Sequence, residues 1–252
     1  MSDIHVERAD KVLVLSFARP SKKNAITDAM YATLADELEA AETDPDVRVV
    51  LIRAEGDAFT AGNDLADFAA VNAGNGSSVR NVERFLRALT AATRPIVAAV
   101  QGIAVGVGTT LLLHCDYVLL GDAAVLTTPF VNLALVPEAA SSLLLPLRIG
   151  HARAFSMFVL GERVTADTAV AWGLGNRVVP TASLDDEAMT AARRIAAQPL
   201  GAVTATKKLM RDVSAMAARI EVEGVQFRER LKSAEAREAF VAFAERRKPV
   251  FT

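Results

Sequence analysis

An isolated carboxylate, Glu138, is the first feature of this sequence that could do chemistry. Between residues 123 and 147 it is the only ionisable side chain. Burial in such an apolar segment raises the pKa of a carboxyl group toward the range useful for moving protons. Because Glu138 follows Pro137, it could equally lie in the first turn of a helix, where the helix dipole favours a negative charge. The sequence alone leaves both interpretations open.

A glycine-rich turn upstream of this acid could bind a polarised oxygen. Residues 95–101 predict a buried strand, which is followed by Gly102, Gly106 and Gly108. An apolar helix-like run and a second short strand, residues 117–120, come next. Where a strand ends at glycines and a helix begins, backbone N–H groups point at whatever lies over the helix N-terminus. Anions and polarised oxygens bind at such a place.

Other familiar sites are not supported by the motifs. Residues 106–111 lack the third glycine of a dinucleotide fingerprint, and they follow a central strand. The sequence contains neither the phosphate-binding GxxxxGK[ST] nor the nucleophile elbow GxSxG. The three histidines do not have metal-ligand spacing, and Ser141 and Ser142 have no evident histidine partner. We therefore expect no metal site and no serine nucleophile.

The composition is typical of a globular protein with a large core. Of 252 residues, 52% are hydrophobic and 23% are charged, and the net charge of −2 gives no footprint for nucleic acid or an anionic membrane. A single cysteine, Cys115, rules out an internal disulfide framework. The charged N-terminus does not resemble a secretory signal, and polar residues and glycines interrupt the one apolar run, 95–113. We expect a cytoplasmic enzyme or binding protein with no membrane or nucleic-acid partner.

Alternating strand and helix patterns predict a parallel α/β arrangement. Residues 11–17 and 47–53 read as strands, and residues 82–89 as a helix. Thr27 is a plausible N-cap for a helix whose apolar stripe is Met30, Leu34 and Leu38. Residues 55–68 predict a loop that enters a short helix, and residues 72–78 look least ordered.

Helices carrying many charges are predicted from about residue 184 onward. The aromatic residues before them are expected to lie in the core: Phe155, Phe158 and Trp172. The tail combines Phe240 and Phe243 with a basic end, so it either packs on the core or covers a neighbouring subunit.

Taken together, these segments resemble the crotonase, or enoyl-CoA hydratase/isomerase, superfamily, over almost the whole chain. Any one fragment would be weak, but six in order are a specific signal. They are RPSKKNAIT, AFTAGNDLADF, PIVAAVQGIAVGVGTTLLLHCDYVL, TPFVNLALVPEAASSLLLP, LGERVTADTAVAWGL and AFAERRKPVF.

The resemblance implies an α/β fold in which repeated ββα units form a spiral. On this basis residues 1–195 would be the spiral core with the acyl-CoA site. Residues 196–252 would form a C-terminal helical oligomerisation region that mediates trimers or dimers of trimers. The family implies no separate cofactor, because coenzyme A is part of the substrate.

The resemblance also implies a thioester carbonyl held between two backbone N–H groups. By position in the motifs these belong to Asn63 and Val107. Abstracting a proton next to a thioester places negative charge on that oxygen, and two preorganised donors stabilise it. The remaining residues that the motifs place at the substrate are Lys22, Lys23, Ala25, Ala61, Gly62, Asp64, Leu65, Gly106, Thr110 and Phe130.

The carboxylates decide between branches of the superfamily. Family hydratases use two glutamates, and the matching positions here are Thr110 and Phe130, which cannot activate water. Glu138 instead lies where the enoyl-CoA delta isomerases of the superfamily carry a lone base. The resemblance therefore predicts that Glu138 moves a proton from carbon 2 to carbon 4 of a 3-enoyl-CoA, with Phe130 as a candidate lining residue. The alternatives are a hydratase or thioester hydrolase in which Glu138 orients water, and a catalytically silent acyl-CoA binder.

Overall fold

The computed structural model describes residues 3–65 and 80–251. Nine strands are described: β1 Ile4–Ala9, β2 Val12–Phe17, β3 Val49–Ala54, β4 Ile96–Val100, β5 Ile103–Val105, β6 Tyr117–Gly121, β7 Val125–Thr127, β8 Val164–Thr165 and β9 Arg177–Val179. The α-helices in the same part of the chain are α1 Asp28–Thr43, α2 Arg80–Ala91, α3 Val107–Thr110, α4 Ser141–Ile149, α5 His151–Phe155, α6 Ala166–Ala171, α7 Leu184–Ala196, α8 Leu200–Met210, α9 Val213–Leu231 and α10 Ala234–Ala244.

A six-stranded sheet forms the centre of the fold, in the order β1-β2-β3-β4-β6-β9. Strands β1 and β2 pair antiparallel, and every later pair in this sheet is parallel. A smaller sheet, in the order β5-β7-β8, stands beside it. The parallel α/β prediction is confirmed, and the predicted strands and the predicted helix at 82–89 are all present with ends shifted by a few residues.

The central strands are apolar along their whole length because both faces of the sheet are covered. Every residue of β2 and of β4 is buried. Helix α7 packs on one face, with Val14, Leu51 and Ala99 in a shared cluster. The larger core lies on the other face and includes residues of α1, α2 and α9.

Helix α1 forms as its sequence predicts. Thr27 is the N-cap, and its hydroxyl oxygen accepts a hydrogen bond from the Met30 N–H at 3.4 Å. The predicted stripe of Met30, Leu34 and Leu38 is buried in the core. This helix therefore presents a fixed face to the segments that carry the candidate site.

The C-terminal helices pack on the core of the same chain. Apolar residues of α9 and α10, among them Ile220, Phe227 and Phe240, belong to the larger core cluster. The division at residues 195 and 196 stays a prediction. In the part of the chain that is described, no helix is both long and apolar enough to span a membrane.

One expectation for the aromatic residues is corrected. Phe158 is buried and Trp172 is partly buried, but Phe155 is 53% exposed. Phe155 ends the short helix α5 and contacts the ring of His151 at the surface, with ring centroids 6.0 Å apart. In the C-terminal tail, Phe240 of α10 is buried in the core, whereas Phe243, one turn further along the helix, is exposed. The predicted segment 72–78 lies outside the described residues.

Candidate active site

Two segments of the chain that carry the predicted backbone donors are hydrogen-bonded to each other. We call residues 60–63 and 104–108 the donor segments. Thr60 donates its N–H to the Ile103 carbonyl at 3.1 Å, and the Val105 N–H donates to the Thr60 carbonyl at 3.0 Å. The bridge between Thr60 and Ala104 is parallel, so both segments leave it in the same direction.

Glycines allow the donor segments to approach this closely. Gly62 has a φ of +89°, and a Cβ atom there would lie 2.8 Å from the Val105 carbonyl oxygen. At Gly108 a Cβ would lie 2.4 Å from the Thr60 Cγ2 atom. Because such contacts are too short for any real Cβ, these two positions require glycine for a steric reason.

The two predicted backbone donors, the N–H groups of Asn63 and Val107, lie a few residues beyond this bridge in each donor segment. Val107 is the first residue of α3, so its N–H belongs to the unsatisfied first turn of a helix. Within residues 3–65 and 80–251, no carbonyl or side-chain acceptor takes the N–H of Asn63 or of Val107. Both donors are thus available to an oxygen atom of a ligand.

Glu138 is a buried acid beside the helix that begins at Val107. Its side chain is 7% exposed, and the Thr110 hydroxyl of α3 donates to Glu138 Oε1 at 3.4 Å. Burial, with a smaller contribution from the nearby carboxylate of Glu223, raises the pKa of Glu138 to about 8, although the Thr110 hydrogen bond opposes the shift. A carboxyl group of this kind can both remove and return a proton near neutral pH.

The second interpretation of Glu138, a place in the first turn of a helix, is wrong. Helix α4 begins at Ser141, and Ala139 and Ala140 precede it with φ angles of +61° and +54°. We call residues 138–142 the acid turn. Its left-handed backbone redirects the chain between Glu138 and α4, so the acid lies outside the helix.

Two buried side chains that the motifs did not indicate hold the acid turn. His114 Nδ1 faces the Arg211 guanidinium at 3.2 Å, so its Nε2 carries the proton and donates to the Ala139 carbonyl at 2.8 Å. Burial lowers the pKa of His114 to about 4, which keeps the ring neutral. Glu223 of α9 accepts the N–H groups of Ala140 and Ser142 at 2.7 and 2.8 Å.

Tyr31 connects the donor segments with the acid. Its hydroxyl donates to Asn63 Oδ1. Burial raises the pKa of Tyr31 well above its usual value, and the negative charge of Glu138 adds to the shift. Hydrogen bonds thus join Tyr31 to Asn63 on the donor segment and Thr110 of α3 to Glu138.

Phe130 lies next to the glycine turn. A Cβ at Gly106 would be 3.9 Å from Phe130 Cε1, and the ring of Phe130 is buried with its centroid 6.1 Å from that of Phe158. An apolar ring occupies this position, so no carboxylate is available there to activate water.

The loop with the predicted coenzyme A contacts runs beside the first donor segment. Ala61 donates its N–H to the Lys23 carbonyl at 2.8 Å, and Ala25 donates to the Lys22 carbonyl at 3.0 Å. Lys22 is exposed, and the Lys23 ammonium pairs with Asp57 at 2.5 Å. The structure thus brings the loop and the donor segment together.

The other predicted positions near this loop have structural contacts. Asp64 pairs with Arg19 at 2.7 Å, and Leu65 packs against the larger core. The motifs did not single out Asn24, whose buried amide donates to the carbonyls of Glu55 and Ala58, both at 2.8 Å. Its left-handed φ of +54° is the conformation that asparagine tolerates best among side chains with a Cβ.

A small cavity of about 50 Å³ opens beside Glu138 and Ala139, between α2 and α9. Leu86, Ile220 and Phe227 give it an apolar wall. A larger cavity, of about 820 Å³, lies between α4 and α8. None of the predicted site residues lines it, so we do not assign the candidate site to this cavity. Among the described residues, no group of His, Cys, Asp and Glu side chains could hold a metal ion.

Backbone donors on a glycine turn beside one buried acid, in a parallel α/β core, define an enzyme with the crotonase fold. A family described as enoyl-CoA hydratase/isomerase matches residues 7–252, and the chain belongs to this family.

Similarity to known proteins supports the same assignment. A structure of an enoyl-CoA hydratase/isomerase from Pseudoalteromonas atlantica T6c is 43% identical, covers all of both chains and superposes with a TM-score of 0.94. The chain is 33% identical to 1,2-epoxyphenylacetyl-CoA isomerase of Escherichia coli (98% of this chain, 97% of the relative). It is 34% identical to rat enoyl-CoA delta isomerase 2 (92% of this chain, 61% of the relative).

Proposed function

We propose that the protein is an enoyl-CoA delta isomerase that converts a 3-enoyl-CoA to a 2-enoyl-CoA. The observation that carries the proposal is the buried acid Glu138, next to the backbone donors. Glu138 lies beside the helix that presents the Val107 donor, with a pKa of about 8. The two positions at which family hydratases use glutamate hold Thr110 and Phe130.

The geometry supports a mechanism with one proton shuttle. The Asn63 and Val107 N–H groups bind the thioester oxygen, and ionised Glu138 removes a proton from carbon 2. Negative charge moves onto the oxygen as a dienolate, which the two donors stabilise. Protonated Glu138 then returns the proton to carbon 4, so no atom is gained or lost. The buried ring of Phe130 favours this return over the addition of water.

Relatives support different branches, so hydration is the second candidate. Besides the two isomerases, the chain is 32% identical to 2,3-dehydroadipyl-CoA hydratase of Escherichia coli over 100% of its length. If Glu138 oriented water instead of shuttling a proton, the product would be a hydroxyacyl-CoA.

The proposal extends to the setting of the enzyme. We propose that coenzyme A enters only as part of the substrate, without a separate cofactor. We also propose that the protein acts in the cytoplasm as a trimer or a dimer of trimers.

The test supplies 3-enoyl-CoA and 2-enoyl-CoA separately and follows absorbance of the conjugated thioester together with product mass. We expect migration of the double bond without a change in mass. Glu138→Gln should lower kcat by about 10³-fold because general acid–base catalysis contributes 10²–10⁴. Binding of a saturated acyl-CoA, measured by calorimetry, should persist.

Glu162→Gln is the matched control, since it removes an exposed carboxylate outside the site. It should keep the parent rate. A product heavier by one water, or a Glu138→Gln variant with the parent rate, would refute the proposed isomerase.

A further inference from the structure

Glu223 is a buried carboxylate that the proposed reaction does not use. It lies in the middle of α9, between Ile220 and Phe227, and is only 6% exposed. A charged side chain at a core position of an amphipathic helix lowers stability unless it has specific partners. Its partners therefore indicate why an acid is present there.

Those partners are the backbone of the acid turn. The Ala140 N–H donates to Glu223 Oε2 at 2.7 Å, and the Ser142 N–H donates to Oε1 at 2.8 Å. Both donors belong to the N-terminus of α4, where a negative charge is favoured. Each oxygen accepts an N–H, an arrangement that favours the ionised form of Glu223.

The acid turn is a backbone that needs such support. Ala139 and Ala140 both have left-handed φ angles, a conformation that raises the energy of a residue with a Cβ by about 1 kcal/mol or more. Neither residue is glycine, so the strain persists only because the surroundings hold it. Glu223 acts on one side of the turn, and the His114 hydrogen bond to Ala139 acts on the other.

Glu223 also acts on Glu138 through its charge. Its proximity raises the pKa of Glu138, in addition to the effect of burial. The pKa of Glu223 is itself raised, because the effect of burial exceeds that of the hydrogen bonds from Ser142 and Ala140 and the charge of Arg219, which lower it. The acid turn therefore holds two carboxyl groups with different roles, one fixed by N–H donors and one with a hydroxyl partner.

The other charged groups near Glu138 form ion pairs between α2 and α9. They line the cavity between α2 and α9, where Glu83 pairs with Arg228 and Arg87 pairs with Glu221 at 3.2 Å. Tyr31 of α1 and Thr110 of α3, which face Glu138 from the remaining elements, are neutral hydroxyl groups near neutral pH. Glu83 and Glu221 thus each have a basic partner, and Glu223 is the carboxylate whose negative charge acts on Glu138.

We propose that Glu223 is a positioning residue for Glu138: from the C-terminal helix α9 it fixes the acid turn and sets the charge environment in which the base ionises. The inference rests on the proposed function, because it assigns Glu223 a role in the reaction of Glu138. It means that the active site is complete only when α9 packs on the core.

The charge makes this proposal testable by pH. Glu138 must be ionised to remove a proton, so kcat/KM rises with pH as this carboxyl group loses its proton. Glu223→Gln removes the neighbouring negative charge and should lower the pKa of Glu138. We expect the acidic limb of the profile to move to lower pH by about one unit.

The same variant tests positioning. A Gln side chain can accept only one of the two N–H groups, since its NH₂ group faces the other donor. The plateau of kcat/KM should therefore fall by about tenfold. Glu223→Asp keeps the charge, so its acidic limb should stay within about 0.3 units of the parent while its plateau falls.

Controls separate these effects from general damage. Glu229→Gln removes an exposed charge from the same helix and should leave the profile unchanged. If Glu223→Gln does not fold, the double variant Glu223→Gln/Ala140→Gly replaces it, because glycine adopts the left-handed conformation without strain. An unshifted limb in the Gln variant, or a shift that Glu223→Asp shares, overturns the proposal.

An infrared titration separates this inference from the isomerase assignment. The carbonyl stretch of protonated Glu138, identified by its loss in Glu138→Gln, reports the pKa without any substrate. In Glu223→Gln this pKa should fall by about one unit. If the isomerase assay fails but the infrared shift is present, the proposed function is wrong and the link between the carboxyl groups stands. If Glu138→Gln is inactive but no shift is seen, only the inference on Glu223 fails.

Discussion

The donor segments and the acid turn are built by different physical means. The donor segments are main chain: a parallel bridge between Thr60 and Ala104, close contacts that need glycine, and two N–H groups. The acid turn depends on side chains far apart in sequence, with His114 and Glu223 holding the backbone around Glu138. One half is therefore made by the main chain and its glycines, and the other by buried side chains.

This difference has a consequence for how each half responds to conditions. Backbone N–H groups do not titrate, so the donor segments are insensitive to pH over the range in which enzymes work. The acid turn contains Glu138, whose pKa is raised to about 8, and it is held by His114, whose pKa is lowered to about 4. The pH dependence of the protein should therefore originate largely in the acid turn.

The first and largest expected effect is a gain in thermal stability at high pH when Glu138, which destabilises the folded protein as it ionises, is replaced by glutamine. The folded pKa of Glu138 is about 8, against an ordinary value of 4.5, so between these values the folded protein holds a proton that the unfolded chain has released. Stability is therefore lost as pH rises from about 4.5 to 8. Glu138→Gln abolishes this loss, and its Tm should exceed that of the parent by at least about 5 °C at pH 8.5.

At pH 5 the two proteins should differ little, because Glu138 is then protonated when folded and neutral like glutamine. Thermal denaturation at both pH values is the measurement, with Glu162→Gln as the exposed-carboxylate control. A Tm difference that is the same at pH 5 and pH 8.5 would mean that Glu138 is not an acid with a raised pKa.

The second expected effect is a loss of activity in a variant that disturbs only the donor segments. In Gly62→Ala the new Cβ would meet the Val105 carbonyl oxygen at 2.8 Å, so the segment that carries the Asn63 N–H must move. Loss of one such donor typically lowers kcat by 10²–10³. We expect kcat/KM to fall by about 10²-fold while the pH at which activity rises stays the same.

Gly173→Ala is matched to this variant. Gly173 has a similar positive φ of +83°, but nothing lies within 4 Å of a Cβ there. It tests whether backbone strain by itself lowers activity. If both variants lose activity equally, the close contact between the donor segments is not what matters.

The donor segments could be predicted from the sequence because their signals are local. Glycines between a strand and an apolar run indicated the turn at residues 102–108, and Asn63 and Val107 followed from the resemblance to the family. The structure places both beside one junction, without an acceptor in the described parts of the chain. Helix α1 was equally readable, because Thr27 and its apolar stripe are near neighbours in sequence.

The acid turn could be predicted only in part because its shape depends on distant residues. An apolar context indicated that Glu138 is buried, but not that two alanines adopt left-handed conformations. A signal for Glu223 was present: it occupies a core position in the stripe Met216, Ile220, Glu223, Phe227 and Leu231. Phe155 illustrates the opposite error, since an aromatic residue was expected inside and lies at the surface.

The third and smallest expected effect concerns Tyr31, which lies between the two halves. Tyr31→Phe removes the hydroxyl that donates to Asn63 Oδ1 and leaves the aromatic ring in the core. One hydrogen bond contributes about 1 kcal/mol, so kcat/KM should fall by about fivefold. Because the pKa of Tyr31 is raised well above its usual value, the phenol stays neutral at working pH, and the acidic limb should not move.

This pattern, a lower rate with an unmoved limb, differs from the result expected for Glu223→Gln, in which the plateau falls and the acidic limb also moves. Tyr117→Phe is the control, since it removes the hydroxyl of the other tyrosine, which is partly buried on β6 away from the site. A limb that moves in Tyr31→Phe would show that the phenol acts on Glu138 rather than on Asn63. In that case the donor segments and the acid turn would be coupled through Tyr31, and the separation between a main-chain half and a titrating half would not hold.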